Sequence, residues 1–479
     1  MRTSRFPRAL KAGAVLLVLA GAAAVGGALV LQSLGVAPRA LAPYVERRTS
    51  GHNPFIVGTG QWVARTLTAL DRGPAQPFAA GGLRIGAQAA GAPAPAGART
   101  VLANDVVQVR AALAGAAPGD RIVLLPGSYR FEGKLAVDRP GSATRRITLG
   151  ALQPGTVKLE FAMVEGFIVS APYWTFENLA IRGACAQHDD CEHAFHVVGA
   201  AQHFIARNNV ITDFNAHFKI NGLDGRFPDH GLIENNTLSN GAVRATANPV
   251  VPIDLVAASG WTMRRNLISD FVKGGGDGIS YGGFAKGAGS SNTFAQNIVW
   301  CEQRLHGAPG QRVGLSLGGG GSGAPFCRDG RCIVEQEGSS IASNLIASCS
   351  DDGIYLNSAA RSRIVHNSLL DTGGISVRFA NSSADVQGNL VDGAIRSRND
   401  AVVRALDNRD TPIALLYLGY HPVRRLFSNL ATFGFDSTAA RRTGASGAGE
   451  DVAEDLCAAP RPATPRLGAF EDFSACLAR

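Results

Sequence analysis

GLIENNTLSN (Gly231–Asn240) sets a pair of asparagines before a short β-prone run, and this arrangement returns along the chain. It is read in ENLAI (Asn178), NNVI (Asn209), NNTL (Asn236), RNLI (Asn266), QNIV (Asn297), SNLI (Asn344), HNSL (Asn367) and GNLV (Asn389). The steps are 31, 27, 30, 31, 47, 23 and 22 residues. A short β-branched strand returning every ~20–30 residues marks a solenoid, in which no repeat buries its apolar face alone. The Leu-x-x-Leu-x-Leu frame of leucine-rich repeats is missing, as are the longer, Trp-marked blades of a propeller. What remains is an all-β chain wound as a parallel β-helix, its coils stacked about 4.8 Å apart. In such a stack an Asn at each turn bonds its counterparts above and below. The 47-residue step contains GGGGSGAPFCRDGRC (318–332), a large insertion of the kind that gathers on a binding face.

Each repeat carries a second strand. HFKIN (His217–Asn221) alternates, with Phe218 and Ile220 on one face and His217, Lys219 and Asn221 on the other. Aligning AFHVVG, HFKING, PIDLVA, GISYGG, GLSLGG, GIYLNS and GISVRF by their inward apolar pairs gives an outward column. It runs His196, Lys219, Asp254, Ser280, Ser316, Tyr355 and Ser376. Stacking at about 5 Å sets His196, Lys219 and Asp254 side by side, flanked by His217 and Asn221. Imidazole, amine and carboxylate on three successive rungs form an acid/base constellation. The competing reading is a solvated strand face with an incidental Lys219–Asp254 ion pair.

Neighbouring loops add candidates. CAQHDDCEHAFH brings Asp189, Asp190 and Glu192 together, and carboxylates on a turn can bind Ca²⁺. GLDGRFPDHG supplies Arg226 and His230, and FVKGGGDGISYGGFAKG supplies Lys273, Asp277 and Lys286. Arg244 stands in the segment between them.

The 479 residues carry a formal charge of +8, which favours anionic partners. No basic block is interleaved with aromatics, so no nucleic-acid partner is expected. Arg2, Arg5, Arg8 and Lys11 precede an apolar run from Ala12 to Ala37. That run is longer than a secretory h-region and fits a signal anchor, basic end in the cytoplasm. The expected location is therefore the inner membrane facing the periplasm, or outside the cell if the segment is cleaved. Eight cysteines fit that compartment, with local pairs 185/191, 327/332 and 457/476 leaving 301 with 349; zinc is the rival reading. The expected organisation is an anchor over 1–37, a juxtamembrane segment and Ala/Gly/Pro linker over 38–98, a β-helix over 99–435, and a cap or tail over 436–479. QWVARTLTALDRG (Gln61–Gly73) reads as a short helix in the second of these.

AAPGDRIVLLPGSYRF, APYWTFENLAIRG and the Asn series resemble the right-handed parallel β-helix superfamily of pectate-lyase and chondroitinase-B type, over roughly residues 99 to 435. The resemblance implies an enzyme on acidic polysaccharide. In those lyases a Lys is the base, an Arg on a following coil assists, and Ca²⁺ is held by carboxylates. Lys219 matches that Lys, while Asp254 stands where the Arg would be. The expected reading is a monomeric polysaccharide lyase that cleaves a uronate-containing chain by β-elimination. Lys219 would be its base, with His196 or His217 as alternate base or acid and Asp254 orienting Lys219. Asn221, Arg226, Arg244, His230 and Lys273 would bind substrate. Alternatives are a C5-epimerase, a glycoside hydrolase, and a non-catalytic glycan-binding or envelope scaffold module. SDDGIYL (Asp351, Asp352) has a superficial likeness to polygalacturonase-type hydrolases but lacks their Arg-x-Lys.

Overall fold

The computed structural model describes residues 6–70, 83–88, 99–319, 322–429, 434–435 and 452–477. Most of the Ala/Gly/Pro run, GAQAAGAPAPAGA, lies outside them. From Thr100 to Leu406 the chain winds as a right-handed parallel β-helix with three sheets of twelve, ten and ten strands. The first sheet starts with Thr100–Ala103, the second with Gly127–Phe131 and the third with Leu135–Val137. Every strand pairing within these three sheets is parallel.

Inside the stack, apolar side chains lie rung on rung. Phe167, Phe195 and Phe218 pile up on the inner face of the third sheet, with ring centroids 5.0 and 5.3 Å apart and ring planes nearly parallel. Aromatic rings prefer a limited set of offset geometries, so this pile resists slippage by a residue. Helix α4 (Val106–Ala114) closes the first coil. Its Asp105 caps the N-terminus by accepting from the Gln108 N–H at 2.8 Å, while Val109 and Leu113 plug the open core.

The asparagine series forms a ladder at the turn between the first and second sheets. Asn236 Oδ1 accepts both the backbone N–H and the Nδ2 of Asn209, at 3.0 Å each. Asn236 in turn donates to Asn266 Oδ1 and to the Ala206 carbonyl. The pattern repeats through Asn297, Asn344, Asn367 and Asn389 and extends to Asn408. Asn178 is a correction to the sequence alignment. It sits one residue early, in the positive-φ column with Asn208 and Asn235, and Leu179 holds the ladder position, donating its N–H to Asn209 Oδ1.

The four disulfides join Cys185–Cys191, Cys301–Cys349, Cys327–Cys332 and Cys457–Cys476. The C-terminal segment differs from the expected cap or tail. Leu456, Leu467, Phe470 and Phe473 pack, together with Leu83 and Ile85, on Leu267, Ile298, Trp300, Leu345 and Leu370. It is a strap along the outer face of the second sheet, fastened to itself by Cys457–Cys476.

Helix α1 (Phe6–Leu34) contains the 22-residue apolar stretch Gly13–Leu34, long and apolar enough to cross a membrane and not buried against the rest of the protein. The expected helix at Gln61 is the second half of α3 (Pro54–Leu70), which pairs with α2 (Leu41–Thr49). The hairpin docks on the late coils through a buried charge network. Arg39 reaches Asp371 at 2.7 Å and Glu302 at 3.4 Å; Arg312 pairs with Glu302, and Arg424 with Asp371 and Asp392.

Removing one ladder rung leaves buried groups of two coils unpaired, at roughly 1–3 kcal/mol each. Asn236→Ala should therefore lower the urea midpoint sharply, whereas Asn178→Ala, which leaves the main ladder intact, should lower it less. Equal midpoints for the two variants would show that the ladder is not a principal source of stability.

Candidate functional site

The third sheet positions the chemistry. Its register pairs His196 with Lys219 and Lys219 with Asp254, so residues from three separated segments are neighbours on its outer face. The next member differs from the sequence alignment, for Asp254 pairs with Phe284 and not with Ser280. The reason lies in YGGFAK (Tyr281–Lys286), whose inward positions are small. A side chain at Gly282 would collide with Val299 and Phe271, and one at Gly283 would crowd Phe294. The core there is filled by aromatics from the other sheets, so an apolar alignment misplaces the strand by four residues. Its consequence is functional, because Lys286 comes to the site.

These residues open into a groove of about 860 Å³. Its walls are the turn Gly222–Phe227, the segment from Lys273 to Tyr281, and the disulfide insertion from Ser322 to Gly330. Arg328 of the insertion is held by both oxygens of Asp229, at 2.8 and 2.9 Å, and lies over the Phe227 ring. A cavity of about 940 Å³ lies between the α2–α3 hairpin and Gly307–Arg312, but Arg39, Arg312 and Glu302 in its wall are already paired with one another.

Within the groove, Lys219 Nζ donates to Asp254 Oδ2 at 2.8 Å. Asp254 Oδ1 is buried with no hydrogen-bond partner among the described residues, and so is His193 Nδ1. Buried polar atoms without partners are rare, and each calls for a water, a ligand or local strain to account for it. Burial, with His196 and Lys219 close by, pushes His193 down to about 4, so its imidazole is neutral near pH 7. Lys286 lies over the Phe284 ring, its Nζ 4.4 Å from the centroid, and no hydrogen bond or ion pair ties it to a carboxylate among the described residues. Burial holds Lys286 below the usual lysine range; Asp254 opposes that shift and Lys219 adds to it. Burial also raises the Tyr281 phenol, so it keeps its proton.

His196 is clamped. Its Nδ1 meets Glu165 Oε1 at 2.6 Å and its Nε2 meets Asn221 Oδ1 at 2.8 Å, while Asn221 Nδ2 donates to the Gly222 carbonyl. Both ring nitrogens face oxygen, which fixes the orientation of the ring.

The other sequence candidates divide. Lys273 lines the groove and donates to Asp277 at 2.7 Å. Arg226 is exposed on the tip of the Gly222–Phe227 turn, outside the groove lining. His230 stands on the turn before the first sheet, stacked on His203 at 5.4 Å, away from the groove. His217 and Arg244 are corrections. The segment after Asn240 folds back over the start of the His217 strand. His217 is fully buried and donates through Nε2 to the Ser239 carbonyl at 3.3 Å; burial pushes it down to about 3. Arg244 is buried too, donating to Asn215 and to the His188 carbonyl. The metal residues do not gather. Asp189 accepts from the Thr246 hydroxyl and Glu192 from the Asn248 amide, while Asp190 is exposed. Among the described residues no group of three or more His, Cys, Asp or Glu side chains is arranged to hold a metal ion. No step is therefore drawn through a cation at these residues. Asp351 and Asp352 lie outside the groove lining: Asp352 pairs with Arg396 at 2.5 Å, and burial beside Asp352 pushes Asp351 up to about 7.

Sequence reading missed Glu165, which reaches His196 from the preceding coil; its only signal was EGFIV aligned one repeat before AFHVV. Lys286 was noted but placed on a loop because of the four-residue shift.

No family model matches the chain, and no curated protein matches it. Among solved structures, a pectate lyase, Pel9A, is similar over 75% of this chain and 90% of its own, at 14% identity and a TM-score of 0.49. A rhamnogalacturonan lyase covers 65% and 87%, at 12% identity and a TM-score of 0.47. A PL6 family polysaccharide lyase from Pseudopedobacter saltans covers 77% and 99%, at 13% identity and a TM-score of 0.38. At such identities the likeness concerns the fold, which rests on the strand register above.

His217 gives a stability test. Its folded pKa of about 3 lies below the ~6.5 of an unfolded chain. The stability it supports is complete above pH 6.5 and drains away as pH falls toward 3, because the unfolded chain takes up the proton first. His217→Gln, which keeps an amide donor for the Ser239 carbonyl, should lose less stability between pH 7 and pH 5 than the parent in urea titrations.

Proposed function

We propose that the protein is an exported, membrane-tethered enzyme that cleaves an acidic, uronate-containing polysaccharide by β-elimination. The observation that carries this reading is the groove floor. Two lysines from different coils act on one buried carboxylate whose second oxygen has no partner among the described residues. Arg2, Arg5, Arg8 and Lys11 stay in the cytoplasm, and the solenoid faces the periplasm.

β-Elimination needs a cation against the uronate carboxylate, a base for the proton at C5 and a donor for the oxygen leaving C4. Lys219, paired with Asp254 at 2.8 Å, suits the first role, and Lys273 also lines the groove. Its tight ion pair disfavours it as base. Lys286 suits that role, since burial favours its neutral amine and no carboxylate among the described residues forms an ion pair with it. The C5–H bond breaks toward Lys286 Nζ, the C4–C5 double bond forms, and the C4–O bond breaks. The departing oxygen takes a proton from the Tyr281 phenol. Asp254 orients Lys219, and the free Oδ1 accepts a sugar hydroxyl. Glu165, His196 and Asn221 form a fixed wall that positions the chain.

Lys286→Met should lower kcat by at least ~100-fold on alginate, pectate or a glycosaminoglycan, read as the ultraviolet absorbance of the unsaturated uronide, with the circular dichroism spectrum unchanged. Turnover by the parent should rise with pH and level off below the ~10.4 of a free lysine, as the base loses its proton. Full activity in Lys286→Met removes this base. Glycan binding without absorbance across all three polymers would instead identify a non-catalytic module.

A further inference from the structure

The end of the solenoid next to α1 carries exposed apolar side chains that the groove does not use. After the last coil, Thr411 donates its N–H to the Gly393 carbonyl, and Pro412 opens the short helix α5 (Ile413–Tyr417). Ile413 and Leu416, three residues apart, are its buried side chains. The helix stops before Gly419, whose φ of +70° is a left-handed value that glycine takes without strain. Gly419 donates to the Leu416 carbonyl and Tyr420 to the Leu415 carbonyl, each at 3.0 Å, the paired bonds of a Schellman cap. This fixed turn leaves Leu418 72% and Tyr420 45% exposed. The guanidinium of Arg425, itself exposed, lies over the Tyr420 ring, 5.5 Å from its centroid. Its neighbour Arg424 is instead taken up by Asp371 and Asp392.

Helix α1 ends against α5. Gln32 Oε1, two residues before the apolar stretch stops at Leu34, accepts the Ala414 N–H at 2.9 Å. The Val36 carbonyl, two residues after that stop, accepts from the Tyr417 hydroxyl at 3.1 Å. Between them, Arg396 donates to the Gly35 carbonyl. These bonds hold α5 at the level where the apolar stretch ends. Leu418 follows Tyr417 directly, so the exposed tip begins at that same level.

We propose that Leu418, Tyr420 and Arg425 make a second contact with the lipid bilayer, seated in the headgroup and upper acyl region beside α1. The inference rests on the membrane-tethered reading of α1 above and is independent of the groove's chemistry. The three side chains suit that region. A phenol places its ring among acyl chains and its hydroxyl among headgroups, a leucine leaves water, and an arginine extends its charge to a lipid phosphate. The size of the tip argues for lipid over protein. A lasting protein interface takes roughly 800 Å² from each partner, far more than these side chains offer. A domain already tethered to a bilayer needs no such area, because its second contact is intramolecular. Interfacial side chains also set the tilt of a spanning helix. Since α1 is bonded to the last coil, the tip sets the tilt of helix and solenoid together.

The test reconstitutes the full chain in vesicles of phosphatidylcholine and phosphatidylglycerol, with and without bromine near the top of the acyl chains. Trp174, Trp261 and Trp300 are buried, while Trp62 is exposed. Trp62→Phe therefore gives a background whose remaining indoles lie inside the domain, and Leu418→Trp adds one at the tip. The added indole should emit to the blue of an exposed one. Bromination should remove about half of its emission or more, since a side chain seated ~5–10 Å into the headgroup/acyl boundary lies within reach of the bromines. The background alone should lose little. Tyr420→Trp in the same background gives a second reading from the neighbouring position, and matched circular dichroism and urea midpoints show that neither variant disturbs the fold. Tip indoles that bromine leaves untouched and acrylamide quenches from water overturn the proposal. So do tip indoles shielded from both as protein density rises, the mark of a second copy on this surface. Alkaline carbonate extraction of the parent separates the two readings. Release from the vesicles overturns the anchor reading and this proposal with it; retention with unquenched tip indoles overturns the proposal alone.

Discussion

In-register stacking of the coils is the constraint on which everything else depends. The rise per rung is fixed by backbone hydrogen bonding, so a residue's neighbours are set by register and not by sequence distance. Lys219 and Asp254 are 35 residues apart and share a hydrogen bond. Two internal devices hold that register. The asparagine ladder satisfies turn amides of adjacent coils through one side chain, and the Phe167–Phe195–Phe218 pile fills the bore beneath the site. A slip of one residue would turn His196 and Lys219 inward and place phenylalanines in the groove. The devices that stabilise the solenoid therefore also compose the site.

That dependence explains what was legible in the sequence. The repeat was readable because the asparagines recur at the same point of each coil, and Asn178 misled by a single residue because ENLAI and NNVI share a motif but not a frame. The His196, Lys219 and Asp254 row was readable because Phe195, Phe218 and Ile253 mark the inward positions next to them. The row failed at the next rung, where Gly283 and Ala285 are the inward residues and larger side chains elsewhere fill the space. Inward positions that are small carry no apolar signal, and the alignment then seizes on Ile279 and Tyr281 instead. His217 and Arg244 failed for another reason: alternation tells which face a side chain leaves from, and not whether a later loop covers that face.

The electrostatics of the groove follow from who pairs with whom. Asp254 stands between two lysines but bonds one. Lys219 is bonded to it at 2.8 Å, and the same carboxylate acts on Lys286 only at a distance. The Phe284 ring beneath Lys286 attracts an ammonium, but weakly when set against the loss of water. One carboxylate and one aromatic ring thus give the two amines different surroundings: Lys219 is ion-paired, while burial shifts Lys286 downward. Pairs of titratable groups pushed apart by their surroundings are what acid/base chemistry at neutral pH requires.

The buried charge network under the hairpin ties this site to the end of the apolar helix α1. Arg39, Arg312 and Arg424 face Glu302, Asp371 and Asp392, so cations and anions balance among these six. Such networks add little net stability against an apolar replacement, because each charge gives up its water. Removing one member, however, leaves its partners buried and unpaired, which is strongly unfavourable. A contact with those energetics is poor glue and a good latch: it accepts one docked position and rejects its neighbours. Since Arg39 lies five residues after the end of α1, the latch fixes that helix's C-terminal end beside Arg396 on the last coil of the third sheet. The groove then stands a set number of rungs from the end of α1, and the spacing is written in the stack itself.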